Sequence, residues 1–263
     1  MIGRNDTLWF LSSSSRAMPT LLTSRTAPDP FTAYLKVPQF RQERSLSCEM
    51  AALRMATAFH GLAKSETEMV QILPIDKTQP TMDKGRVIWV DADRVFAGNI
   101  RGWQFFDGGL SSYPQRARRG AWGYGIHALG IAEVATRLGL EAQVFDTVEQ
   151  VFAALGRGNP VVIIVPCSGK STSRKWTWYT RRGDAVHVIN SEHAVTVRGY
   201  SERRVLINDP LGGVASYTRG VFQRAFDLLK NGVEIGPPRK VVPVPKWSAD
   251  RDLPRGRRAP RSK

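Results

Sequence analysis

The spacing of apolar residues predicts helices and strands between residues 34 and 235. Helices are expected over residues 48–60, 66–73, 126–138, 148–155 and 222–229. Strands are expected over residues 34–38, 160–166, 193–198 and 205–209, the last two from period-two alternation. Because helices fill the first half of this region and antiparallel strands the second, the pattern indicates an α+β domain rather than alternating βα units.

Two long segments and both ends of the chain fall outside this pattern. Residues 76–122 are irregular and too long for an ordinary connection, and residues 168–187 form a polar, aromatic excursion. Insertions of this kind often carry function, so we expect both to line a substrate cleft. Residues 1–33 are expected to form a flexible leader and residues 246–263 a basic, disordered tail, which leaves 34–245 as the folded domain.

Composition excludes several classes of protein. Of the 263 residues, 42% are hydrophobic and 23% charged, as in globular domains and unlike disordered chains or coiled coils. The longest nearly apolar run, Val161–Pro166, is far shorter than the roughly 20 residues of a membrane-spanning helix. The apolar stretch Leu8–Leu11 is too short for a secretory signal. The chain as written therefore points to the cytoplasm, and secretion would require a different start.

The net charge of +15 is concentrated near the C-terminus, since nine basic and two acidic residues lie in 239–263. A basic tail favours weak contact with an anionic polymer or a membrane surface, and it equally suits a solvated tail that aids solubility. Residues 173–184 interleave aromatic and basic side chains, but no nucleic-acid-binding fold signature accompanies them. No specific nucleic-acid partner is therefore predicted.

Cys48 is the first candidate for chemistry because it begins the strongest predicted helix. Ser47 is placed to cap that helix, and the positive end of a helix lowers the pKa of a thiol. The unpaired N–H groups there can stabilise an oxyanion, and the side-chain amide of Gln42, six residues upstream, could donate a second hydrogen bond. Taken alone, Cys48 is more simply explained as a small buried hydrophobe, which is the commoner fate of a free cysteine.

A predicted hairpin near the C-terminus supplies a base. If residues 200–202 form its loop, Val197 faces Val205, and His193 faces Asp209 on the same side of the sheet. An Asp that holds one ring nitrogen of a His fixes the tautomer and prepares the His as a general base. The alternative is a His–Asp pair that only stabilises the end of the hairpin. The order Gln, Cys, His, Asp along the chain is that of papain-like enzymes.

Four segments together resemble the bacteriocin-processing, double-glycine cysteine peptidase-like family, family 39 of the cysteine peptidases, in its stand-alone bacterial branch. The resemblance covers residues 34–235. The four segments, in chain order, are VPQFRQERSLSCEMAALRMATAFHGL (37–62), VFAGNIRG (95–102), GYGIHALGIAEVATRLG (123–139) and SEHAVTVRGYSERRVLINDPLGG (191–213).

This resemblance implies a papain-like fold, in which the N-terminal helix carrying the nucleophile packs on a C-terminal antiparallel sheet. It implies peptide-bond hydrolysis with Cys48 as nucleophile, His193 as base, Asp209 orienting His193, and Gln42 in the oxyanion hole. The expected partner is a peptide or protein substrate. His127, in the third segment, could line the cleft, but a core or capping histidine is favoured.

Two other functions stay open for a domain with this fold. One is a papain-like acyl transferase or cell-wall peptide amidase, and the other is an inactive papain-like domain that binds peptides or anionic polymers. Thiol hydrolysis needs no cofactor. Two cysteines, Cys48 and Cys167, are too few for a four-ligand zinc site, and the four histidines lack metal-ligand spacing, so no metal is expected.

Overall fold

Five helices lie in the residues that the computed structural model describes, which are 30–105, 122–167 and 173–239. Each agrees with a predicted helix, with ends that differ by up to three residues. Both α2 and α4 begin at capping boxes, whereas α1 ends before Gly61, which has the left-handed φ of +79°. The helices are α1 (Cys48–Phe59), α2 (Glu66–Ile72), α3 (Ala128–Arg137), α4 (Val148–Gly156) and α5 (Arg219–Phe226).

The strands of the described residues form one large sheet and several small ones. They are β1 (Ala33–Tyr34), β2 (Ile75–Asp76), β3 (Thr81–Asp83), β4 (Arg86–Ile88), β5 (Phe96–Ala97), β6 (Trp103–Gln104), β7 (Trp122–Gly123), β8 (Leu140–Phe145), β9 (Val161–Pro166), β10 (Lys175–Tyr179), β11 (Ala185–Ile189), β12 (Glu192–Tyr200), β13 (Arg204–Asp209), β14 (Gly213–Thr218) and β15 (Gly232–Pro238). The large sheet has seven antiparallel strands in the order β14-β13-β12-β9-β15-β8, with β1 paired to β12.

Helices cover both faces of the large sheet, which explains why β9 reads as an unbroken apolar run. Val162 and Ile164 of β9 pack in the same core cluster as α1 and α3. Val161, Ile163 and Val165 pack on the other side, with α4 and α5. The prediction of an α+β fold with the N-terminal helix packed on a C-terminal antiparallel sheet is confirmed.

A second sheet includes parts of the two long segments that were predicted to have no regular strands. Its order is β11-β10-β4-β3, so residues from both 76–122 and 168–187 are strands. Trp89, Trp178 and Tyr124 pack at its centre with ring centroids 5.0–5.1 Å apart. These rings give the two segments an aromatic core of their own, which period-two counting overlooks. Residues 106–121 and 168–172 lie outside the described residues.

The register of the predicted hairpin is wrong by two residues near its open end. Val197 pairs with Ile207 and Thr196 with Asn208, whereas Tyr200 pairs with Val205 across an irregularity between Val197 and Gly199. A shift of two residues keeps every side chain on its predicted face, because side chains alternate with period two. The β-bulge between Val197 and Gly199 changes the offset only on the side of the turn, and the even offset at the open end still lets His193 and Asp209 meet.

The predicted leader and tail cannot be compared with the fold, since 1–29 and 240–263 lie outside the described residues. Residues 30–34 lead into β1, which pairs with the end of β12 through Ala33 and Tyr200. No described helix combines the length and apolar character that would let it cross a membrane.

Candidate active site

The predicted His–Asp pair forms at one end of β12 and β13. His193 is the second residue of β12 and Asp209 is the last residue of β13, and His193 Nε2 lies 2.7 Å from Asp209 Oδ1. The Leu211 backbone N–H donates to the same oxygen at 2.7 Å. Burial opposes ionisation of Asp209, yet the hydrogen bond and charge of His193, with backbone N–H groups of the following turn, hold its pKa below the ordinary value.

Cys48 begins α1, as predicted, and a buried ion pair anchors the turn before it. Arg44 donates to Glu66 of α2 at 2.7 Å, and the backbone N–H of Glu43 donates to the same carboxylate at 2.8 Å. Ser47 is the N-cap residue, but its hydroxyl makes no capping hydrogen bond, contrary to the prediction. It donates to the Arg44 carbonyl oxygen instead, at 3.2 Å, which tightens the turn.

The thiol of Cys48 faces carboxylates rather than a cation. It is 5% exposed and donates to Glu49 Oε2 at 3.4 Å. Burial raises the pKa of the Cys48 thiol well above its usual range, and the charges of Glu49 and Glu192 raise it further, whereas the Ala194 backbone N–H lowers it. The sequence-based expectation of a lowered thiol pKa is therefore wrong in direction, because the helix terminus acts against burial and two acids.

Backbone contacts draw the N-terminal and C-terminal halves of the site together. The sulfur accepts from the N–H of Ala194, the residue next to His193. Gln42 N donates to the Pro210 carbonyl at 3.1 Å, and Gln39 Nε2 donates to the Asp209 carbonyl at 2.7 Å. Among the hydrogen bonds of the described residues, none joins Cys48 to His193.

Gln42 lies beside this assembly, but its amide is already engaged. Nε2 donates to the carbonyl oxygens of Arg44 and Ser45, at 2.8 and 3.0 Å. Two carbonyl acceptors fix which end of the amide carries the N–H groups. Oε1 is buried without a hydrogen-bond partner. An oxyanion role for Gln42 therefore requires its amide to leave these two carbonyl groups.

Two glutamates beside the thiol were not singled out by the sequence analysis. Glu49 follows Cys48, and Glu192 precedes His193. Burial raises the pKa of Glu49 to about 7, and burial and Glu49 raise the pKa of Glu192 well above its usual range. The only signal in the sequence is that an acidic residue directly adjoins each predicted catalytic residue. Together with Cys48, they are a group that could hold a metal ion.

A second His–Asp pair lies at the start of α3. His127 is the N-cap residue of α3, is buried, and places Nδ1 2.7 Å from Asp93 Oδ1. Its side chain makes no capping hydrogen bond, so the core alternative in the prediction fits better than the capping one. Nε2 of His127 is buried without a hydrogen-bond partner.

Comparisons with known proteins follow the same span of the chain. The model of the Peptidase_C39 like family matches residues 34–233. A Bacillus anthracis protein described as a C39-like peptidase superposes with a TM-score of 0.63, at 21% identity, over 79% of this chain and 98% of that one. The peptidase domain of Streptococcus ComA gives a TM-score of 0.43 at 16% identity, over 76% of this chain and 98% of that domain.

One curated relative has no described function. The uncharacterized protein YvpB of Bacillus subtilis is 35% identical over 66 residues, which are 25% of this chain and 26% of that protein. The match thus spans about a quarter of YvpB. The family match and the superposition on the Bacillus anthracis protein support the fold, and the chemistry has to be argued from the site itself.

Proposed function

Because this chain belongs to the Peptidase_C39 like family, we propose that it is a cysteine peptidase in which Cys48 attacks peptide bonds and His193 serves as base. The observation that carries the proposal is the 2.7 Å contact between His193 and Asp209 at the strand end beside the sulfur of Cys48. It supports a His held in one tautomer by a carboxylate, which is what a general base for a thiol requires.

The proposed reaction begins with a neutral thiol. Asp209 accepts a hydrogen bond from the protonated Nε2 of His193, which leaves the lone pair of Nδ1 to take the thiol proton. The sulfur then bonds to the substrate carbonyl carbon, and the imidazolium returns its proton to the departing amine. Water, deprotonated by His193, attacks the acyl-enzyme and releases the acid product, which restores the thiol.

The first turn of α1 would hold the oxyanion during both steps. Its backbone N–H groups have no intrahelical partners, and the positive end of the helix favours negative charge. Gln42 would join them once substrate draws its amide from the carbonyl oxygens of Arg44 and Ser45. The raised thiol pKa supports proton transfer after the substrate binds, rather than an ion pair formed beforehand.

The test is cleavage of a broad mixture of unfolded peptides, followed by mass spectrometry. We expect the wild-type chain to generate new termini, and Cys48→Ala to lose cleavage entirely. His193→Ala should reduce the cleavage rate by roughly 10²–10⁴-fold, the usual contribution of a general base. Cys167→Ala is the matched control and should cleave as the wild type does. Full cleavage by Cys48→Ala would refute the mechanism.

A second candidate is a papain-like domain that binds peptides without cleaving them. It is favoured by the hydrogen bond from the thiol to Glu49 and by the engaged amide of Gln42, both of which leave the resting site short of a competent geometry. Retention of uncleaved peptides by wild type and Cys48→Ala alike would support this candidate. An acyl transferase would instead form amide adducts when a free amine is added to the reaction.

A further inference from the structure

We propose that Cys48, Glu49 and Glu192 form a binding site for one thiophilic divalent cation of the Zn²⁺ class. The ion would join two carboxylates to the thiolate that is also the nucleophile of the proposed active site. Binding stands independently of the proposed function. Only the consequence that the bound ion blocks peptide cleavage rests on it.

The geometry already gathers three suitable ligand atoms. The sulfur of Cys48 and one carboxylate oxygen from each glutamate lie within 4.8 Å of one another, and all three residues are buried. Zinc binds sulfur at about 2.3 Å and carboxylate oxygen at about 2.0–2.2 Å. Small rotations of the two flexible glutamate side chains would close the remaining distance. Three protein ligands leave a fourth position for water.

The carboxylate of Glu192 is the observation that points to a ligand. Its side chain is 3% exposed, and neither oxygen has a hydrogen-bond partner. Among the described residues, no Lys or Arg forms an ion pair with Glu192 or Glu49. A charged carboxylate that is buried without a partner is strongly unfavourable, so the acid keeps its proton until a cation takes that place. A divalent cation would satisfy both acids at once.

Other buried glutamates of the fold are paired, so the state of Glu192 is specific to this position. Glu66 accepts from Arg44 and from the backbone N–H of Glu43. Glu234 accepts from Arg157 and from Asn159. An arginine from another part of the chain therefore pairs with each of these buried acids. In the part of the chain that the structure describes, no Lys or Arg does so for the two glutamates beside Cys48.

Gly125 maintains the space that the two carboxylates share. A Cβ atom at this residue would lie 2.4 Å from Glu49 Oε1 and 2.7 Å from Glu192 Oε2. Any side chain here would thus push the two acids away. The Ile126 backbone N–H donates to Glu49 Oε1 at 2.7 Å, which leaves Oε2 directed to the thiol.

Binding of the ion exchanges a proton for a metal–sulfur bond. The thiol and any glutamate that is still protonated lose their protons to solvent, the sulfur donates an electron pair to the cation, and the resulting carboxylates add oxygen ligands. No electron is transferred. Sulfur that is bound to the cation cannot attack a carbonyl carbon, so the loaded protein would be an inhibited peptidase.

Cobalt provides a direct test because a thiolate bound to Co²⁺ absorbs in the near ultraviolet. We would treat the full chain with chelator, remove the chelator, and titrate with Co²⁺ and then with competing Zn²⁺. The expected result is one ion per chain with a sulfur charge-transfer band that Cys48→Ser abolishes. Glu192→Gln should weaken binding at least tenfold, whereas Glu234→Gln and Cys167→Ser should bind as the wild type does. Absence of the band, or equal affinity in Glu192→Gln, would overturn the proposal.

A second measurement needs no variant and so does not depend on a mutant folding. Iodoacetamide modification of the wild-type chain would be mapped separately at Cys48 and Cys167, with and without Zn²⁺. We expect Zn²⁺ to slow modification of Cys48 at least tenfold relative to Cys167, and chelator to reverse this. Equal effects on both cysteines would refute the site. If Cys48 is protected but the metal-free chain cleaves no peptide, the metal site stands and the proposed peptidase function fails.

Discussion

The pKa of Cys48 depends on a competition between the helix terminus and burial. A helix N-terminus stabilises a nearby anion by about 0.3–1 kcal/mol when exposed, whereas removing an ion from water costs several kcal/mol. Two carboxylates add repulsion to the cost of burial. The sequence shows the effect that lowers the thiol pKa, since a Cys begins a helix. The effects that raise it arise only when the fold buries Glu49 and Glu192 beside the sulfur.

Replacement of Glu49 by Gln should therefore activate the thiol. Gln keeps an oxygen that can accept from the Ile126 N–H but carries no charge. With chelator present, we expect Glu49→Gln to increase the rate of Cys48 alkylation at pH 7 by about tenfold, equivalent to one unit of thiol pKa. Cys167 in the same sample is the internal control. An unchanged ratio of the two rates would contradict the electrostatic explanation.

Gln42 allows a test that separates an oxyanion role from a structural one. If its amide stabilises the oxyanion, Gln42→Ala should lower kcat for peptide cleavage by roughly 10²–10³-fold, as loss of one oxyanion donor does elsewhere. Alkylation of Cys48 by iodoacetamide forms no oxyanion, so its rate should change by less than about twofold. A fall in both rates would show that Gln42 only supports the turn before α1.

At the scale of elements, a buried hydrogen bond from a threonine side chain helps to join α1 to the large sheet. Thr196 Oγ1 of β12 donates to the Ala52 carbonyl of α1 at 2.8 Å. Thr196→Val keeps the shape but removes the donor, so we expect the free energy of unfolding in urea to fall by about 1 kcal/mol. Thr196→Ser, which keeps the hydroxyl but loses a methyl group, shows how much of any loss comes from packing. A stability unchanged in Thr196→Val would mean that this hydrogen bond makes no net contribution to holding α1 on β12.

The elements themselves were largely readable from the sequence, and the misses have physical causes. The five helices carry apolar periodicity, and the resemblance to the family is confirmed by the match over residues 34–233. β14 and the exposed part of β8 lack a continuous apolar face, because they are the edge strands of the large sheet. The bulge near Arg198 has no local signature, so the hairpin register could not be read from alternation.

At the scale of the whole molecule, the site shows which information a sequence lacks. Cys48, His193 and Asp209 could be named because each occupies a characteristic place on a helix or strand. Glu192 and Glu49 could not be grouped, since 143 residues separate them and each alone reads as an ordinary acid beside a candidate residue. The expectation of no metal counted Cys and His alone, and so never considered glutamate ligands.

Acidic groups with opposite pKa shifts should give the fold an unusual dependence on pH. The pKa values of Asp209 and Glu234 are lowered despite burial, through hydrogen bonds with His193 and Arg157 respectively. Their contribution to stability is present above their unfolded values and is lost as pH falls through the folded ones. Glu49 acts in the opposite sense, because its folded pKa of about 7 lies above 4.5. Its stabilising contribution is complete below pH 4.5 and is lost as pH rises to about 7.

We therefore expect the free energy of unfolding of the wild-type chain to be greatest near pH 4–5 and to decline towards pH 8. Urea denaturation at fixed ionic strength, with chelator present, measures this directly. In Glu49→Gln, the decline between pH 5 and pH 8 should be smaller, because this variant has no carboxylic acid at that position to lose a proton. Glu234→Gln is the matched control, and it should keep the wild-type decline because the folded pKa of Glu234 lies below this range. If the free energy of unfolding declined equally in Glu49→Gln and in the wild type, the group that titrates between pH 5 and pH 8 would not be Glu49. The explanation of the raised thiol pKa by the charge of Glu49 would then fail.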